Sequence, residues 1–263
     1  MSIRAFSFGG GVQSTAALVL AAERKIDFPL FIFANTGDDS ENPATIDYIE
    51  RFSKPYAETH GIEFVVVAKT RKGTVETLYE NLVGNNRTIA IPVRMANGAP
   101  GNRKCTRDWK IRPVAKELRR RGAKKKNPAV IGIGISRDEW HRAKDSMVPY
   151  VVHEHPLLDL DYTRADCGGI IRLAGLPVPP KSSCWFCPYK TKREWSEMAA
   201  KDPATFAKAC ELETKLETKR GTFGKDKVYM TDGLRPLSEA VLPNAQLKLN
   251  LGDDEECTGY CWT

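Results

Sequence analysis

The 263-residue chain has no long apolar run. No stretch approaches the roughly 20 residues that a helix needs to cross hydrocarbon, and Met1-Ser2-Ile3-Arg4 passes directly into a strand pattern without a signal-like segment. The expectation is a cytoplasmic protein that does not act in the membrane. Internal repeats and low-complexity linkers are also missing, and the length suffices for one large α/β domain, or one domain with an appendage, whose core needs no disulfide staples. The formal charge is +7, with much of the excess in Arg119-Arg120-Arg121-Gly122-Ala123-Lys124-Lys125-Lys126. No aromatic cluster lies beside that run to stack bases, so it reads as a solvated helix end and loop, with a nucleic-acid contact as the alternative. Disulfides are not expected in a reducing compartment. The seven cysteines are therefore read through their spacing, as metal, cluster or redox chemistry.

What the chain does have, near its start, is Ser7-Phe8-Gly9-Gly10-Gly11-Val12-Gln13-Ser14-Thr15, set between an apolar run and a helical one. A strand that stops at three glycines can wrap its backbone around an anion, and the following helix supplies unpaired N–H groups and a positive dipole end. Strand and helix patterns then alternate. Strands are predicted over 3–8, 29–34, 62–68 and 129–135, and helices over 14–25, 44–60, 75–83, 108–121 and 204–219, with Pro43 suited to a first turn and Gly61 to a helix end. Such alternation implies βαβ units and a doubly wound, mostly parallel sheet, which binds ligands at the carboxyl ends of its strands. Three polar loops fall at those ends: Gly9 to Ser14, Asn35 to Asp39, and Ser136 to Glu139. From Asp161 the texture changes to Cys, Gly, Pro and Trp. The expected division is a nucleotide-binding domain over 1–160 and a Cys-rich C-terminal region over 161–263.

SFGGGVQST resembles the loop of the PP-loop, or adenine nucleotide alpha hydrolase, superfamily (an HUP-like fold), and particularly its phosphoadenylyl-sulfate (PAPS) reductase branch. ANTGDD at 34–39, CTRDWKIRP at 105–113 and Cys184-Trp185-Phe186-Cys187-Pro188 resemble further landmarks of that branch, in the same order. The resemblance implies an adenine nucleotide, ATP or PAPS, held by Ser7, Gly9, Gly10, Gly11, Gln13, Ser14, Asn35, Thr36, Gly37 and Arg137. ATP-cleaving members carry Asp where this chain has Gln13, and that acid is expected to help hold magnesium and pyrophosphate. Asn35 likewise stands where an acid is expected, although Asp38 and Asp39 are near enough in sequence to substitute. The loop thus favours nucleotide binding over nucleotide cleavage.

The C-x-x-C at Cys184 and Cys187 suits zinc, an iron–sulfur cluster or a redox dithiol. The resemblance implies a 4Fe-4S cluster on Cys105, Cys184 and Cys187, with Cys167 as a fourth ligand or else one open iron; zinc and a metal-free dithiol are the alternatives. Glu256-Cys257 resembles the family's C-terminal nucleophile, and Cys261 follows as a second thiol able to resolve an oxidised intermediate. A frayed terminus with incidental cysteines is the competing reading of that tail. Cys210 reads as packing, and His153 and His155 as a strand-end pair. Arg137 and Arg142 can hold phosphate or sulfate, joined by Lys110, Arg112 and Lys181.

Three function classes follow. One is a reductase-like oxidoreductase, in which Cys257 attacks the activated sulfur of an adenine nucleotide and a thiol reductant completes the cycle. The second is an iron–sulfur sulfurtransferase that thiolates a tRNA base or DNA backbone, fed by a sulfur donor protein. The third is a non-catalytic nucleotide sensor.

Overall fold

A computed structural model describes residues 2–241. These divide into two compact units, one of residues 2–77 and 106–183, the other of 78–105 and 184–241. The compositional change at 160 thus falls inside the first unit, which runs on to Ser183.

The first unit is an α/β fold around five parallel strands: β1 (Arg4–Phe8), β2 (Leu30–Asn35), β3 (Glu63–Ala68), β4 (Ala129–Ile133) and β5 (Val151–Glu154), in the spatial order β3-β2-β1-β4-β5. Alternation along β1 and β2 explains its two cores. Phe6, Phe8, Phe31 and Phe33 face one side and pack with Leu18 of helix α1 (Val12–Ala22) and with Ile49 and Ala57 of helix α2 (residues 43–59). Ala5, Leu30, Ile32 and Ala34 face the other and meet Val114 and Leu118 of helix α3 (Arg112–Arg120). A period-2 pattern buried on both faces is what a helix-covered parallel sheet requires. Helix α4 (Arg164–Leu173) lies against α1, where Cys167 and Ile171 pack with Val12, Ala16 and Leu20.

Local signals behave as their chemistry dictates. Asn42 caps α2 by accepting from the Ala44 amide at 3.0 Å, Pro43 occupies its first turn, and Gly61 beyond its end takes φ 69°. Strand β5 had no alternating pattern long enough to announce it, and α4 was hidden by Gly168 and Gly169 within it. The second unit is mostly helical: Leu78–Val83, helix α5 (Lys192–Lys201) and helix α6 (Pro203–Gly221), with Arg94–Met95 paired antiparallel to Val228–Tyr229. No helix among the described residues is long and apolar enough to cross a membrane.

Candidate functional site

The strand order reverses between β1 and β4, since the chain moves outward from β1 through β2 to β3 before returning to β4 and β5. In open parallel sheets the crevice at such a reversal, outside the carboxyl ends of the strands, is where ligands sit. Here that position is lined by the loop after β1, which carries Gly9, Gly10 and Gly11, and by the loop after β4, which carries Ser136 to Glu139.

The glycine loop is tightly held. Gly10 has φ 75°, and a Cβ there would lie 2.8 Å from Thr45 Cγ2, so both conformation and space demand glycine. The Ser182 hydroxyl donates to the Gly9 carbonyl. Ser14 Oγ accepts from the Gly11 amide at 3.2 Å and donates to the Gly11 carbonyl at 3.0 Å. The first intrahelical bond of α1 is Thr15 N–H to Gly11 O, 3.0 Å, so the amides of Val12, Gln13 and Ser14 head the helix where its dipole is positive. Ser7 is buried at the end of β1, and its hydroxyl has no hydrogen-bond partner among the described residues.

Beside this loop lies a polar network that gives Gln13 its place. Its Nε2 donates to Glu139 Oε2 at 3.1 Å and approaches Ser136 Oγ at 3.5 Å, while its Oε1 accepts from Arg164 Nη1 at 2.9 Å. Glu139 is also paired with Arg142 at 2.7 Å. Arg137 points elsewhere, to the exposed carboxylate of Asp161 at 2.8 Å. Neither Arg164 nor Ser182 stands out in the sequence, because each reaches the loop from a distant segment.

After β2, Asn35 closes its own loop. Its side-chain oxygen accepts from the Gly37 amide and its Nδ2 donates to Asp38 Oδ1, both at 2.8 Å. Gly37 has φ 123°, with Asp39 Oδ1 only 2.5 Å from the position of a Cβ. Asp39 accepts from Ser40 and Thr77, each at 2.8 Å. Thr36 donates to Glu41 Oε1 at 2.8 Å, and the other oxygen of this buried carboxylate has no partner among the described residues. Glu41 is a buried acid of this loop that the sequence pattern gave no reason to select.

The cysteines divide between the units. Cys105, Cys184 and Cys187 belong to the second and are half-buried. The C-x-x-C forms a turn in which the Cys187 amide donates to the Cys184 carbonyl at 3.1 Å. Tyr189 lies near this group. Burial raises its phenol pKa, Arg103 and Arg94 oppose the rise, and Cys187 and Cys105 add to it. Cys167 belongs to the first unit, is fully buried in the apolar cluster between α1 and α4, and has its thiol pushed up to about 12, chiefly by burial. That environment disfavours the thiolate that a metal ligand must be. Three thiols suit a soft metal chemically, yet among the described residues no group of three or more His, Cys, Asp or Glu is placed to hold one. Cys210 is half-buried on α6, and Cys257 and Cys261 lie outside the described residues.

The basic run is partly neutralised within the first unit. Arg120 pairs with Glu117 at 2.6 Å, and Arg121 with Glu117 at 2.7 Å and with Glu63. His153 Nδ1 lies 2.9 Å from the Lys144 carbonyl, and its ring meets that of His155 edge-on at 6.3 Å. Comparison of the chain with protein-family models and with curated proteins finds no match.

Proposed function

We propose that this chain is an adenine-nucleotide-binding enzyme of sulfur chemistry, built on the PP-loop plan of the PAPS reductase family. The observation that carries this reading is the position of the glycine loop at the reversal of strand order, ahead of the α1 N-terminus. A tight glycine turn, a row of leading amides and a helix dipole together favour a phosphate or sulfate group. Gln13 stands where ATP-cleaving relatives of the resemblance carry an acid, and Glu139 is already paired with Arg142. That composition favours holding an anion over assembling a magnesium site for pyrophosphate release.

In this reading the nucleotide lies on the loop from Gly9 to Ser14, with its sugar and base toward Asn35, Thr36 and Gly37. The Cys257 thiolate attacks the sulfur of the bound sulfonyl group. A sulfur–sulfur bond forms, the sulfur–oxygen bond to phosphate breaks, and the nucleotide leaves with that electron pair. Cys261 then displaces sulfite, leaving a disulfide that an external dithiol reduces. The test is dithiol-dependent release of sulfite from PAPS and from adenylyl sulfate, with Cys257→Ser as control. Release that disappears in the variant supports the reading, and absence of release from both nucleotides overturns it. The three half-buried thiols of the second unit favour thiolation as a second reading. ATP with RNA or DNA would then yield AMP and pyrophosphate. Nucleotide binding with no turnover under either condition would leave a sensor.

A further inference from the structure

Gln13 sits between two groups of opposite demand. Glu139 is a carboxylate, which can only accept, and Arg164 is a guanidinium, which can only donate. A primary amide is the side chain that offers a donor to one and an acceptor to the other, so the network fixes which way Gln13 points. With only 8% of its surface exposed, it has little freedom to turn. An acid at this position would face Glu139 with like charge and would neutralise Arg164 directly.

The consequence lies in how the three arginines of the crevice are partnered. Arg142 is paired with Glu139 and Arg137 with Asp161. Arg164 has an exposed side chain whose hydrogen bond goes to a neutral oxygen, and among the described residues no carboxylate is paired with its guanidinium. Asp138 accepts from the Arg164 backbone amide at 3.0 Å, which anchors the start of α4 and leaves the guanidinium to Gln13. The guanidinium is thus held against Gln13 of the glycine loop by a hydrogen bond, not by an ion pair, among the described residues. A planar cation that keeps N–H groups available is suited to bidentate contact with phosphate or sulfate.

We propose that Arg164 is the anion-binding side chain of the glycine loop, taking the terminal phosphate or sulfate of the nucleotide, and that Gln13 is the residue that positions it. The proposal rests on the loop being a nucleotide site. Its test compares the binding of ATP, PAPS and adenosine to wild type, Arg164→Ala, Arg164→Lys, Gln13→Leu and the double variant Gln13→Leu/Arg164→Ala by calorimetry at two salt concentrations. Arg164→Ala should weaken the phosphorylated nucleotide about 10- to 100-fold, the range expected of a lost charge-assisted contact, and flatten its salt dependence. Adenosine affinity should not change, and Arg164→Lys should recover part of the loss. Gln13→Leu should weaken the same ligand, and the double variant should lose no more than the worse single one, because neither change adds a charge and both act through one guanidinium.

Wild-type affinity of Arg164→Ala for both phosphorylated nucleotides overturns the proposal and leaves the loop reading standing. So does full additivity in the double variant, which would separate Gln13 from Arg164. If wild type itself binds neither phosphorylated nucleotide more tightly than adenosine, the loop reading and the proposal fall together.

Discussion

The two units solve the problem of buried backbone in different ways. In the first, five parallel strands satisfy one another through a regular ladder, and polar side chains collect where the ladder stops, at the carboxyl ends. In the second, strand among the described residues is confined to a two-residue pair, and side chains take over the task. Glu213, buried on α6, accepts from the amides of Met230 and Leu237. Lys219 on the same helix donates to the Leu82 carbonyl at 2.8 Å and to Asn86 Oδ1 at 3.2 Å. In the first unit the polar side chains at the strand ends bond mainly to one another, whereas several of the second's are occupied in holding irregular chain together.

The comparison can be broken most forcefully at Glu213. Removing its carboxylate leaves two buried amides without an acceptor, so Glu213→Leu should cost about 2–6 kcal/mol in denaturant unfolding. Amide exchange at Met230 and Leu237 should accelerate first. If those amides stay protected, the carboxylate is not what holds that segment.

The first unit should respond instead to packing. A Cβ at Gly132 in β4 would lie 2.5 Å from Phe6 Cδ2 and 2.9 Å from Phe28 Cζ. Gly132→Ala is therefore expected to lose about 1–3 kcal/mol through overpacking, measured as a lower unfolding midpoint. An unchanged midpoint would show that this aromatic layer is loose. Cys167 probes the same unit more gently. Cys167→Ser should cost about 1–3 kcal/mol by burying a hydroxyl among apolar groups. Because burial holds its thiol at about 12, Cys167 should resist alkylation at pH 8 until the protein unfolds. Rapid labelling of the native protein there would contradict the packing role.

The smallest effect concerns pH. Arg120 and then Arg121 hydrogen-bond the Glu117 carboxylate and hold it down at about 2, against an ordinary value of 4.5. A lowered acid contributes its stability fully above its unfolded pKa and loses it as pH falls toward the folded one. The contribution should fade between about pH 4.5 and 2 and amount to about 1 kcal/mol, since Arg120 is largely exposed. Glu117→Gln should flatten that part of the stability profile, and an unaltered profile would remove the pair from the account.

Legibility in the sequence follows the same division. The first four strands and their helices were readable because apolar residues alternate or run continuously within a few positions, and Gly9 to Gly11 announce a turn by composition alone. Strand β5 was legible only through His153 and His155, read as a strand-end pair, because Val151–Glu154 is short and polar at two of its four residues. The network around Gln13 was not readable, since Arg164 lies 151 residues away in the chain and Ser182 lies 173 from Gly9. Cys167 illustrates the converse. The residue type of Cys167 admits ligation or packing alike, and only its position on α4 shows it among Val12, Ala16, Leu20 and Ile171.

The order of synthesis bears on the second unit, because its two segments are separated in the chain by residues 106–183. The strands of the first unit are all made by Glu154, so its sheet can close during translation. Residues 78–105 meanwhile wait for α5 and α6, a delay on the order of ten seconds at ordinary elongation rates. For that interval Leu78 and Leu82, buried in the finished protein, lack the helices of their own unit. The segment that carries Cys105 thus waits with apolar side chains exposed, and slowing the ribosome beyond residue 105 should lower the yield of folded protein.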